Sequence, residues 1–160
     1  MNYERAAICL NGDIITSCLR LETDIGKFCT ICGAEIITTC PSCNSPIHGR
    51  EKISPWVRSP ARYALPMFCH NCGKAYPWTQ AELDKVNKLI NEEMPELSLE
   101  EKSNFRTSLP KIMSNTSLSR VAATQVSKYL KKITPTVQET FKQIFYRLAA
   151  DGAKALIWGL

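Results

Sequence analysis

The chain has 160 residues, 44% of them apolar and 22% charged, and a formal charge of +5. That length gives one ordinary domain or two small ones, and the balance leads to the expectation of a soluble, globular chain rather than a disordered one. The apolar C-terminal segment carries Arg147, Asp151 and Lys154, whereas a membrane-spanning helix needs about 20 largely uncharged apolar residues.

In chain order, "MNYERAAICL" has no apolar run ending in a small-residue cleavage site, so no signal peptide is read. A cytoplasmic protein is expected, in which lasting disulfides are not. "AAICLNGDIITSC" places Asn11-Gly12 between two β-prone runs, the mark of a tight hairpin. Three Cys-x-x-Cys pairs come next: Cys29/Cys32, Cys40/Cys43 and Cys69/Cys72. Residues 50–67, with three prolines and four bases, read as an exposed loop. All eight cysteines precede residue 73, and a boundary is expected near Trp78. It separates a small, proline-rich β region (1–78) from an all-helical region (79–160), an α+β chain. So small a β region has little core of its own and needs a staple.

The helical region opens at Thr79 and Glu82, which have capping-box spacing. Leu83, Val86, Leu89 and Ile90 form one face, and Pro95 ends the helix. Ser98 and Glu101 repeat the box for a shorter helix towards Leu109. A third helix is expected over 119–132, with Ala122, Val126, Tyr129 and Leu130 inward. Thr134 then caps a fourth, with Pro135 at its first position. Val137, Phe141, Ile144, Phe145, Leu148 and Leu156 give that last helix one continuous stripe. The preceding helices look too polar to cover it, so Phe141, Ile144, Phe145 and Leu148 are expected at the interface of a homo-oligomer, a dimer first.

A redox centre of the thioredoxin kind needs a βαβ setting around its Cys-x-x-Cys, and none surrounds these pairs. In Cys-x-x-Cys-Gly the chain turns tightly and aims two thiolates at one ion, with Gly in a left-handed conformation. Two such turns supply the four ligands of a structural Zn²⁺. The two phrases F-C-x-x-C-G, at Phe28–Gly33 and Phe68–Gly73, look like closing turns, each needing an opener upstream. For Cys69/Cys72 that is Cys40/Cys43. For Cys29/Cys32 it is Cys9, with Cys18 across the hairpin or an oxygen of Asp13. Two consecutive zinc ribbons result. Cys29/Cys32 with Cys40/Cys43, or with Cys69/Cys72 in a cross-brace, remain alternatives, as does Cys18 as a buried free thiol. His48 and His70 read as loop histidines.

Seven or eight thiolates holding two Zn²⁺ would bring the formal charge from +5 to near +1 to +2, so the basic balance says little about partners. The uneven distribution remains: 79–101 carries net −5 and 102–160 net +8. Four thiolates leave zinc no open position for water. No His-x-Glu, Ser/His/Asp set or P-loop is legible, and no enzyme is expected.

"RAAICLNGDIITS", "FCTICGAEIITTCPSCNSPIHG", "FCHNCGKAYPWT" and "SRVAATQVSKYLKK" together resemble a family of small bacterial zinc-ribbon proteins whose function is not defined. The resemblance covers nearly the whole chain and implies a double zinc ribbon followed by helices. The family pattern carries His where this chain has Asp13, which replaces a ligand the resemblance implies. The expected function is a non-catalytic zinc-binding scaffold or adaptor whose helical tail oligomerises or docks a protein partner. The alternative is nucleic-acid binding by Arg50, Lys52, Trp56, Arg58 and Arg62 beside Tyr63, bases interleaved with aromatics. A membrane-surface role for 135–160 is the least favoured.

Overall fold

The computed structural model describes residues 2–22, 24–52, 63–114 and 116–159. The chain divides into two compact units, 1–80 and 81–160.

The first unit holds five strands of two to four residues. β1 (Tyr3–Arg5) pairs antiparallel with β5 (His48–Glu51). β2 (Ala7–Cys9) lies between β3 (Ile14–Thr16) and β4 (Ile36–Ile37), antiparallel to both. Strands this short do not hold together alone. The hairpin expected at Asn11-Gly12 forms: the Gly12 N–H donates to Cys9 O at 2.9 Å. Gly12 has φ +90°, and a Cβ there would lie 3.1 Å from Trp78 Cβ. Glycine serves both the turn and the close approach.

Ala6, Ile8, Cys40, Ile47, Cys69, Tyr76 and Trp78 form the buried core of this unit, with Tyr63 and Leu65 packed against it. The Trp78 indole N–H donates to Pro66 O at 2.8 Å, and the Tyr63 hydroxyl to His48 O at 2.5 Å. The end of the 50–67 segment is therefore packed, not free in solvent as expected. Residues 53–62, with Trp56, Arg58 and Arg62, lie outside the described residues.

Gly49 is fixed by space. A Cβ there would sit 2.1 Å from Ser17 O and 3.0 Å from the Arg5 carbonyl. Both neighbours are backbone and cannot rotate aside. Gly49→Ala should lower stability by about 1–3 kcal/mol, the usual cost of overpacking. Gly152→Ala, which meets nothing within 4 Å and lies in a helix, should not. Thermal unfolding of the two variants measures the contrast.

The helices are α1 (Pro77–Glu92), α2 (Leu99–Met113), α3 (Ser117–Leu130), α4 (Pro135–Phe145) and α5 (Asp151–Trp158). The division between units falls inside α1. α1 starts two residues before Thr79, with Pro77 at its first position, and the buried Thr79 hydroxyl has no hydrogen-bond partner. The capping box expected there gives way to the proline start. At α2 the box forms, with Ser98 accepting from the Glu101 N–H and Glu101 from the Ser98 N–H. α2 continues past Leu109 through Pro110. Burial of Ile112 and Met113 offsets the hydrogen bond that proline removes.

The expected long fourth helix is two helices. Ala150 has extended backbone (φ −64°, ψ 150°) and caps α5. Its N–H donates to Ile112 O at 2.9 Å, tying the break to the end of α2. α3 packs on both α2 and α5. Most of the side chains expected at an interface between copies are covered within the chain itself. Phe141 and Phe145 are fully buried and Leu148 nearly so, within the chain's own helices, while Ile144 is half-buried and Leu156 exposed. Phe141 stacks with Phe145 and meets Phe105, both at 5.4 Å between centroids. α2 and α3 are less polar inside than the sequence suggests: Phe105, Leu109, Ile112, Ala122, Ala123, Val126 and Leu130 are all buried.

Candidate metal centres

Each Cys-x-x-Cys builds the same turn. The first cysteine's N–H reaches the carbonyl five residues on: Cys29 to Ala34, Cys40 to Ser45 and Cys69 to Lys74, each at 2.8 Å. Its carbonyl accepts the N–H of the residue after the second cysteine: Gly33, Asn44 or Gly73. Those three residues have φ of +73°, +58° and +71°. Glycine adopts this region freely and asparagine with little strain. Isolated bridges Phe28–Glu35, Thr39–Pro46 and Phe68–Ala75 close the turns.

The turns assemble two donor groups. Cys40, Cys43, Cys69 and Cys72 form one; Cys9, Asp13, Cys29 and Cys32 form the other; within each, the donor atoms lie within 4.8 Å of one another. In the four-cysteine group the Cys40 and Cys72 sulfurs are 3.8 Å apart and those of Cys43 and Cys69 3.6 Å. In the mixed group, Cys9 and Cys32 sulfurs are 3.7 Å apart, and Asp13 Oδ2 lies 3.3 Å from Cys9 Sγ and 3.6 Å from Cys29 Sγ. A disulfide would need about 2.0 Å. Four sulfurs at about 2.3 Å around one zinc stand about 3.8 Å apart. The separations are those of ligands to a shared ion, and the thiolate-rich donor sets suit zinc.

The hairpin at Cys9 is a fourth version of the turn, one residue shorter. The Cys9 N–H donates to Asp13 O, four residues on, and the Asp13 N–H donates to Cys9 Sγ at 3.2 Å. Shortening removes the place of a second cysteine, and Asp13 stands over the site instead. Cys18, expected as an alternative ligand, is not in the group; it is half-buried, and its N–H donates to Thr16 Oγ1. Its spacing from Cys9 gives no sign that the β3 strand carries it past the site.

The two groups lie on opposite sides of β2, since alternate residues of a strand point to opposite faces. Ile8 packs in the core with Cys40 and Cys69, while the next residue, Cys9, belongs to the other group. Local dipoles prepare some thiols for ligation. The Ser45 side chain and N–H lower the Cys43 thiol to about 5, and the N–H groups of Cys32 and Ile31 lower that of Cys29. Burial pushes the Cys9 thiol up to about 11, so Cys9 needs a cation beside it to become a thiolate.

His48 and His70 are in neither group. Their rings stack at 3.5 Å between centroids, with Tyr3 on His48 at 4.5 Å. Burial, and then the charge of His70, lowers the His48 value. Nothing in the sequence spacing points to this column. Arg50 and Lys52 are exposed at the end of β5.

Fold and donor groups define a double Cys-knuckle protein with two groups that could each hold a metal ion and a helical C-terminal half. The profile of a family of uncharacterized proteins conserved in bacteria, DUF2321, matches residues 2–157, and the chain belongs to that family. No curated protein and no solved structure matches it significantly. Among the described residues no helix is long and apolar enough to cross a membrane.

Chelation should separate the two units. The second unit's core contains no member of either donor group. A strong zinc chelator should unfold the first unit and leave the helical circular dichroism signal largely in place. Loss of the whole helical signal would show that the helices depend on the metal.

Proposed function

We propose that the protein is a non-catalytic binding module in which two structural Zn²⁺ hold two consecutive ribbons rigid for a protein partner. The observation that carries this reading is the donor set of each group: four donors within 4.8 Å of one another, which would fill a tetrahedral ion and leave no position for water or substrate. Strands of two to four residues would gain from the metal the rigidity they lack. The ribbon surface offers exposed apolar side chains for docking, with Phe28 63% and Ile31 79% exposed. Native mass spectrometry tests the reading by giving ion count, subunit number and any carried partner together. Two zinc ions per chain and no turnover are expected. A single ion, or an X-ray absorption spectrum with light-atom ligands dominating, would overturn it.

Nucleic-acid binding is the second reading, supported by exposed Arg5, Arg50 and Lys52 on the β1–β5 ribbon and by the Tyr3–His48–His70 ring column. Affinity for single-stranded oligonucleotides that falls steeply with salt would favour it over the first.

A further inference from the structure

The two donor groups differ in donor and in shelter. All four sulfurs of the four-cysteine group belong to the unit's core: Cys40 and Cys69 are buried in it, and Cys43 and Cys72 pack against it. The mixed group has one buried sulfur on a strand, Cys9, and one exposed sulfur on a turn, Cys32. Ile31 beside Cys32, and Phe28 at the start of the same turn, are exposed as well. Its fourth donor is the carboxylate of Asp13, a harder ligand than thiolate and a weaker one for a borderline-soft ion.

We propose that Cys32 is an oxidation site for peroxides, with Cys9 as its resolving thiol, and that the Cys9/Asp13/Cys29/Cys32 group releases its ion on oxidation while the four-cysteine group keeps its own. This rests on the reading of both groups as metal centres. The Cys32 thiolate attacks one oxygen of the peroxide, the O–O bond breaks, and the leaving alkoxide or hydroxide takes a proton from water. The Cys9 thiolate then attacks the Cys32 sulfenic sulfur, forming the S–S bond and expelling hydroxide, which is also protonated. Two thiolates lose two electrons in total, and the peroxide is reduced to water and an alcohol, or to two waters. The sulfurs start 3.7 Å apart and must close to about 2.0 Å. The exposed turn at 30–33 can supply that movement, while Cys9 is held in β2 between two strands. Two of four ligands are then gone, and Asp13 and Cys29 alone do not hold the ion.

The test uses the whole, metal-loaded chain. Metal content is measured first, so two ions per chain secure the metal reading independently of the oxidation step. Hydrogen peroxide is then added, release is monitored with a chromogenic zinc chelator, and disulfides are mapped by mass spectrometry after alkylation. The expected result is loss of one ion of the two, with a Cys9–Cys32 bridge. Asp13→Cys, which gives the group a fourth sulfur, should lose its ion more slowly than the wild type. Cys18→Ser, outside the group, should behave as wild type. Equal loss of both ions, a Cys29–Cys32 bridge in place of Cys9–Cys32, or protection by Cys18→Ser would overturn the proposal while leaving two metal centres standing.

Discussion

Replacing Cys40 by serine should leave the first unit unfolded and the chain one ion short. Cys40 is 2% exposed and belongs both to the four-cysteine group and to the core around Ile47, Tyr76 and Trp78. Serine loses the sulfur's packing and replaces a thiolate with a poor neutral ligand. In small zinc modules the binding energy, ~10 kcal/mol or more, is also folding energy. A domain's net stability is only about 5–15 kcal/mol, so losing most of that term is enough to unfold the unit. Metal analysis and limited proteolysis check it: Cys40→Ser should be cut throughout 1–80 while 81–160 survives. A soluble, protease-resistant Cys40→Ser chain with two ions would contradict the role given to this group.

Phe141→Ala should have the largest effect in the helical unit. Phe141 is fully buried and meets Phe105, Phe145 and Trp158. Truncating such a ring costs about 3–5 kcal/mol, through lost transfer energy and the cavity left behind. Because the ring is covered by its own chain, the melting temperature should fall equally at all protein concentrations. A fall that depends on concentration, with a change of mass in light scattering, would return Phe141 to a contact between copies.

The metal half is the more legible one in sequence, because its information is local. Cys-x-x-Cys followed by Gly33, Asn44 or Gly73 specifies ligand, turn and handedness within five residues. The repeated F-C-x-x-C-G phrase then sorts the turns into groups. Asp13 and Cys18 are not separable that way, because the choice depends on where a four-residue hairpin aims its last side chain. The helical half is legible through periodicity, which sees faces but not breaks. Ala149, Ala150 and Asp151 interrupt no apolar spacing, and the break between α4 and α5 goes with a tertiary hydrogen bond from Ala150 to Ile112 that periodicity does not show. The apolar stripe of 137–156 has the same limit: it says that side chains will be covered, not by what, and Phe141 and Phe145 are covered within the chain. The helix expected to end towards Leu109 runs on to Met113 through Pro110, with Ile112 and Met113 buried beyond it.

The consecutive order of the two groups has a consequence for synthesis. A growing chain has every donor of the Cys9/Asp13/Cys29/Cys32 group by Cys32, eight residues before Cys40, the first donor of the four-cysteine group. Neither group therefore has to wait for the other's donors, as a cross-brace would require. The nascent chain can load metal in sequence, with few thiols idle at any moment. Domains fold as units from the N-terminus at about 5–20 residues per second, so the four-cysteine group completes only seconds after its neighbour. On the reading of both groups as metal centres, the supply of metal during those seconds bears directly on whether the β half is made correctly.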